Sequence, residues 1–149
     1  MELDLELGQL FLTHTHLDHI IDRAVVEAHN EDLRTYVNAL EPAERATRFQ
    51  PGDCFTVGAL KISTRLTKGH SPGGITYVIE GLERPVAIAG DALFAQSMGG
   101  GMISYQDALA TNRSELFTLA DHTVICPGHG PMTSVGEEKA HNPFYPEFK

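Results

Sequence analysis

Residues 13–19 read Thr13-His14-Thr15-His16-Leu17-Asp18-His19, which puts four metal-competent side chains within six positions. With only eight histidines in 149 residues, that density is a signal rather than a by-product of composition. Side chains two apart on extended chain point the same way, so His14 and His16 can converge on one cation. Asp18 and His19 need the chain to turn, which carries them towards a second cation. Neutral imidazole and carboxylate are ligands of zinc and similar borderline ions. Cations held in this way lower the pKa of a bound water and polarise an oxygen that they touch.

Three more segments share one organisation: an apolar run, then glycine beside a metal-competent residue, then a turn. They are Gly69-His70-Ser71-Pro72-Gly73-Gly74, Gly90-Asp91-Ala92-Leu93-Phe94 and Pro127-Gly128-His129-Gly130-Pro131. Glycine at a strand end allows sharp turns and close backbone approach, so side chains from separate strand ends can meet at a sheet rim. Singly, each segment reads as an ordinary surface turn. All three, in this order behind His-x-His-x-Asp-His, form a specific constellation. Serine-hydrolase chemistry is not indicated, because no Gly-x-Ser-x-Gly elbow occurs.

This order of motifs resembles the metallo-β-lactamase superfamily, and its details are similar to the glyoxalase II (hydroxyacylglutathione hydrolase) branch. The tail from Pro127 through Val135-Gly136-Glu137-Glu138 to Asn142-Pro143-Phe144 resembles small bacterial members of that branch that lack an added helical domain. The resemblance runs from about residue 10 to the end. It implies an αββα sandwich of the α+β class holding two divalent cations, zinc first, with iron or manganese as alternatives. It further implies that His14, His16 and His70 bind one cation, that Asp18, His19 and His129 bind the other, and that Asp91 bridges them. The implied activity is that of a metal-dependent hydrolase, a thioesterase in which two cations about 3.5 Å apart share and activate a water that attacks a thioester carbonyl. Asp18 would orient that nucleophile and accept its proton. A thiolate leaves readily, so little general-acid help is needed. The implied partner is a small thioester, with glutathione thioesters the leading candidates.

The chain also departs from the family pattern. Only thirteen residues precede His14, where relatives carry several strands, so an N-terminally truncated domain with an incomplete first sheet is expected. An exposed sheet edge then invites self-association, which makes a homo-oligomer possible. The stretch from His19 to Glu31 is short for the helix and strand that relatives fit there. Lys68 stands where proline is common, and Gly99-Gly100 where Gly-Arg is frequent. None of these departures removes a ligand. Two alternatives stay open: a truncated metal-binding domain without turnover, and a hydrolase acting on a lactone or another substrate of the superfamily. The full seven-ligand set argues against a single-iron persulfide-oxidising site.

Length and composition bound the rest. A chain of 149 residues suggests one domain, residues 1–149, able to bury roughly 68–70% of its extended surface. The formal charge of −9, with no basic patch, disfavours a nucleic-acid partner. No apolar stretch of about 18 residues suggests a membrane span. The N-terminus lacks the basic start and long apolar core of a signal peptide, so a cytoplasmic location is expected. Cys54 and Cys126 adjoin apolar runs and are expected to be buried free thiols.

The elements that must position the site follow from periodicity. The alternation of acidic residues with leucine over 2–7 suggests a strand, and residues 10–13 a second one entering the ligand cluster. Residues 20–28 suit either a helix or a strand. Leu33, Tyr36, Val37 and Leu40 recur at helical spacing after Asn30, which predicts a helix that Glu41-Pro42 ends. Residues 54–57 and 60–66 read as a hairpin, and 75–79, 86–89 and 123–126 as strands. Residues 105–119 and 135–140 read as helices. Gly99-Gly100-Gly101 is expected to be a mobile loop. The remaining histidines, His29, His122 and His141, carry no assigned role, and the last two are expected at the surface.

Overall fold

A computed structural model describes residues 6–148. Most of the expected strand over residues 2–7 therefore lies outside the described residues. Three strands form a small parallel sheet: β1 (Gln9–Phe11), β2 (Arg34–Asn38) and β3 (Thr47–Phe49), in the order β1-β2-β3. A larger mixed sheet holds β4 (Cys54–Val57), β5 (Leu60–Leu66), β6 (Ile75–Glu80), β7 (Val86–Gly90), β10 (Val124–Pro127) and β11 (Thr133–Ser134). Its order is β11-β10-β7-β6-β5-β4. A two-stranded ribbon, β8 (Leu93–Phe94) with β9 (Ser97–Met98), follows β7. The helices are α1 (Leu17–Ile20), α2 (Arg23–Glu27), α3 (Tyr105–Thr111) and α4 (Val135–His141).

The two sheets face each other across an aromatic core. Phe11 and Tyr36 of the small sheet stack at 5.0 Å, and Phe11 meets Phe55 at 5.0 Å and Tyr77 at 5.4 Å on the large sheet. Phe49, Ile62 and Ile75 complete this layer. The opposite face of the large sheet packs on helices: Val78, Ala87, Ala89 and Ile125 meet Ala108, Leu116, Phe117 and Val135. Strand β6 thus buries both faces, which is why Ile75-Thr76-Tyr77-Val78 shows no polar alternation. On the far side of the small sheet, Leu10 and Leu12 share a shallow groove with Ile21 and Val26. The architecture is the expected αββα sandwich.

Several local expectations need correction. Residues 34–38 form the central strand of the small sheet, not a helix. Tyr36 pairs with Phe11 on one side and Thr47 on the other, so ladder bonds on both edges override a chance helical spacing. Asn30 builds a turn instead of a cap, its Oδ1 accepting from Asp32 N–H at 2.9 Å. The ambiguous stretch 20–28 is helical, in two short pieces. The expected helix over 105–119 stays α-helical to Thr111, capped by Ser104 Oγ at 3.1 Å, and widens into one π turn over Asn112–Leu116. Two of the three glycines are closely packed: a Cβ on Gly99 would lie 1.7 Å from the Asp91 carbonyl oxygen, and one on Gly101 2.3 Å from Tyr105 Cα, whereas Gly100 is exposed. Both cysteines are free, but Cys54 is exposed on the edge strand β4, and Cys126 is half-buried.

Candidate metal centre

Strands β5, β7 and β10 run the same way, since β6 is antiparallel to β5 and β7, and β7 is parallel to β10. Their C-terminal ends therefore share one rim. His70 follows β5, Asp91 follows β7 and His129 follows β10. The small sheet brings His14 to the same rim, because Ile75 N–H at the start of β6 donates to Thr13 C=O at 2.9 Å. Below this junction, Tyr77 O–H donates to Leu12 C=O at 2.6 Å and braces β1 from the aromatic core.

All seven predicted side chains meet at this rim. His14, His16 and His70 present one set of atoms within 4.8 Å of one another, and Asp18, His19 and His129 present another. Asp91 faces both sets. Its Oδ2 lies 3.4 Å from His70 Nε2 and 3.6 Å from His129 Nε2, and its Oδ1 lies 3.4 Å from His19 Nε2. That is the position that a bridging carboxylate needs. His29, His122 and His141 take no part: His29 Nδ1 bonds Val25 C=O at 2.8 Å, His122 is exposed, and His141 stands 3.7 Å from Glu137.

The site grades from floor to mouth. His14 (2% exposed) and Asp91 (8%) are buried, His16, His19 and His70 are half-buried, and Asp18 and His129 are open to solvent. Burial, helped by the neighbouring His19, lowers the His14 pKa to about 4. Its ring is therefore a free base at neutral pH, as a ligand must be. Asp18 is also held below the usual carboxylate range. Desolvation would raise its pKa, but its own backbone N–H, His19 and His129 outweigh that. His70 has a fixed tautomer, because its Nδ1–H donates to Gly100 C=O at 2.9 Å and leaves Nε2 bare and aimed inward.

Whether these residues suit cations can be tested on the atoms themselves. His14 Nε2, His19 Nε2 and Asp91 Oδ1 are buried and have no hydrogen-bond partner among the described residues. Buried polar atoms are almost always satisfied, and three orphans converging on one space are what cation ligands look like without the cation. Backbone shape agrees. A Cβ on Gly128 would sit 2.3 Å from Asp91 Oδ1 and 2.7 Å from His19 Cε1, so only glycine lets the His129 segment close over the pocket. Two buried carboxylates behind the cluster, Glu41 and Glu138, were not legible in the sequence. Each is a glutamate without ligand spacing, and only the fold shows what it touches.

A sandwich of two sheets with a histidine-aspartate cluster at one rim defines a class, the metal-dependent hydrolases. The comparisons narrow it. The chain is 31% identical to the hydroxyacylglutathione hydrolase GloC of Haemophilus influenzae, over 96% of this chain and 78% of that protein. It is 30% identical to a probable metallo-hydrolase of Streptococcus pyogenes, over 93% and 71%. Among solved structures, the BLEG-1 B3 metallo-β-lactamase superposes with a TM-score of 0.83 at 28% identity, covering 93% of this chain and 77% of that one. ETHE1 from Myxococcus xanthus gives 0.83 at 28%, covering 94% and 63%. No family model matches the chain. The chain belongs to the metallo-β-lactamase superfamily. Among the described residues, no helix is long and apolar enough to cross a membrane.

Proposed function

We propose that the chain is a thioester hydrolase of the glyoxalase II type with a dinuclear centre, zinc being the first candidate metal and iron or manganese the alternatives. His14, His16 and His70 hold one cation, Asp18, His19 and His129 the other, and Asp91 stands between. The observation that carries this reading is the facing of Asp91 towards His70 on one side and His19 and His129 on the other, with its buried Oδ1 unpartnered. What the cations supply when bound is Lewis acidity towards a water and a carbonyl oxygen. The similarity to GloC supports a thioester as substrate, S-lactoylglutathione being the first to try.

The chain's own residues set the rest. Asp18 stands at the open side, ionised at neutral pH and 3.2 Å from His129, where it orients a nucleophile and takes up its proton. His70, fixed by Gly100, and His14, kept neutral by burial, form a rigid floor that holds its geometry while the substrate approaches from the Asp18–His129 side. Thiolate departure needs no strong acid, so a site composed of histidine and carboxylate suffices.

The test is elemental analysis of purified protein together with S-lactoylglutathione hydrolysis. Close to two metals per chain, and hydrolysis reduced about 100-fold by Asp91→Asn, support the reading. Metal-replete protein that is inert towards thioester, lactone and phosphodiester substrates overturns it in favour of a metal-binding domain without turnover.

A further inference from the structure

Glu41 and Glu138 are among the most buried side chains of the protein, at 2% and 1% exposure, and neither belongs to the ligand cluster. Each is surrounded by donors. Glu41 Oε2 accepts from Thr15 N–H at 3.0 Å and Thr15 Oγ1 at 2.7 Å, and its Oε1 accepts from Gly73 N–H at 2.7 Å. Thr15 stands between His14 and His16, and Gly73 lies three residues after His70. One carboxylate therefore ties the two segments that carry the three-histidine set. Its own position is secured from behind: Asn38 Nδ2 donates to Gly73 C=O at 2.8 Å, and Arg48 donates to Ala43 C=O at 2.6 Å and to the Glu41 carbonyl.

Glu138, on α4, repeats the arrangement at the other side of the pocket. Its Oε2 accepts from Gln96 N–H at 2.9 Å and Asn142 Nδ2 at 2.7 Å, and its Oε1 accepts from Thr133 Oγ1 at 2.7 Å. Gln96 lies in the β8–β9 turn, five residues after Asp91, and holds a left-handed φ of 55°. Thr133 lies four residues after His129. Asn142 Nδ2 also donates to Ser97 C=O at 2.9 Å, fastening the same turn. The Phe94 ring of this ribbon stands 6.1 Å from the His129 ring.

We propose that Glu41 and Glu138 are positioning residues with divided duties: Glu41, bridging Thr15 and Gly73, sets the three-histidine position, and Glu138, bridging Gln96 and Thr133, sets the position that His129 and Asp91 complete. The inference rests on the dinuclear reading above. A carboxylate is required in each place because both oxygens face donors, and an amide of the same size would set its own NH₂ against one of them. Burying an unmatched donor pair displaces the segments that it had joined.

The division is read by zinc affinity in backgrounds that keep one position. His129→Ala retains the three-histidine position, and His16→Ala retains the other. In the His129→Ala protein, Glu41→Gln is expected to weaken binding of the remaining zinc at least about tenfold and Glu138→Gln less than about threefold; in the His16→Ala protein the order reverses. The visible spectrum of the cobalt-substituted single-position proteins should change with the same selectivity. Where a glutamine variant does not fold, Thr15→Ala and Thr133→Ala remove one bond each and carry the same contrast at reduced size. Equal weakening of both positions by either substitution, or none by both, overturns the division. Protein with all seven ligands that takes up no zinc overturns the dinuclear reading as well.

Discussion

His16 Nδ1 and His70 Nε2 lie 2.9 Å apart, two ring nitrogens brought face to face from segments on different sheets. His70 uses Nδ1–H to donate to Gly100 C=O, which turns Nε2 inward as its free ring atom. A cation between such nitrogens satisfies both. Zinc at 100 times its dissociation constant should therefore raise the melting temperature by about 5–10 °C, from roughly 2.7 kcal/mol of linkage in a chain of this length. His70→Ala should lose the share of that rise that the three-histidine position supplies while the protein still unfolds cooperatively; an unchanged zinc response would show that this cation binds elsewhere.

Gly128 has no room for a side chain. Gly128→Ala is expected to push the His129 segment away from Asp91 and His19 and to weaken the second zinc at least about tenfold. The metal-free protein should lose only about 1–3 kcal/mol, as overpacking does. Isothermal titration with zinc and urea unfolding of the apoprotein separate the two effects.

Asp18 differs from the other six because it is assigned to the nucleophile as well as to a cation. Asp18→Asn should lower kcat by about 10²–10⁴-fold with little change in KM. Zinc bound at the three-histidine position should stay. If KM rises and kcat holds, Asp18 serves binding and not the proton.

Glu41 makes stability depend on pH in a predictable direction. Burial would raise its carboxyl pKa, yet the bonds from Thr15 and Gly73 outweigh burial and hold it below the usual range. A lowered folded pKa means that its stabilisation is fully present above the unfolded value of about 4.3 and is withdrawn as pH falls through the folded one. Glu41→Gln should thus destabilise the apoprotein by about 1–3 kcal/mol at pH 7, and the gap from the natural chain should narrow by pH 3. Urea unfolding at both pH values measures it; a gap that widens on acidification contradicts the assignment.

The site was more legible in the sequence than the framework was. Ligand chemistry is written in residue type, and histidine and aspartate beside strand-end glycine stand out without knowledge of their neighbours. The positions of His70, Asp91 and His129 needed only strands that end together. Residues 34–38 failed because Leu33, Tyr36, Val37 and Leu40 recur at spacings of three and four that suit a helix face, and only the two flanking strands decide against it. The short strands β3, β8, β9 and β11 are two or three residues long, too brief for any periodicity to register. Glu41 and Glu138 escaped because their task lies in what approaches them through space. Gly99 and Gly101 misled in the opposite sense: there the missing side chains permit close contact.

Because His14, His16 and His70 all precede His129 along the chain, the pocket has a built-in order of assembly. During synthesis the three-histidine half can close once the β5–β6 hairpin has left the ribosome, whereas the other half waits for His129. A nascent chain thus presents its three-histidine set before His129 has been made.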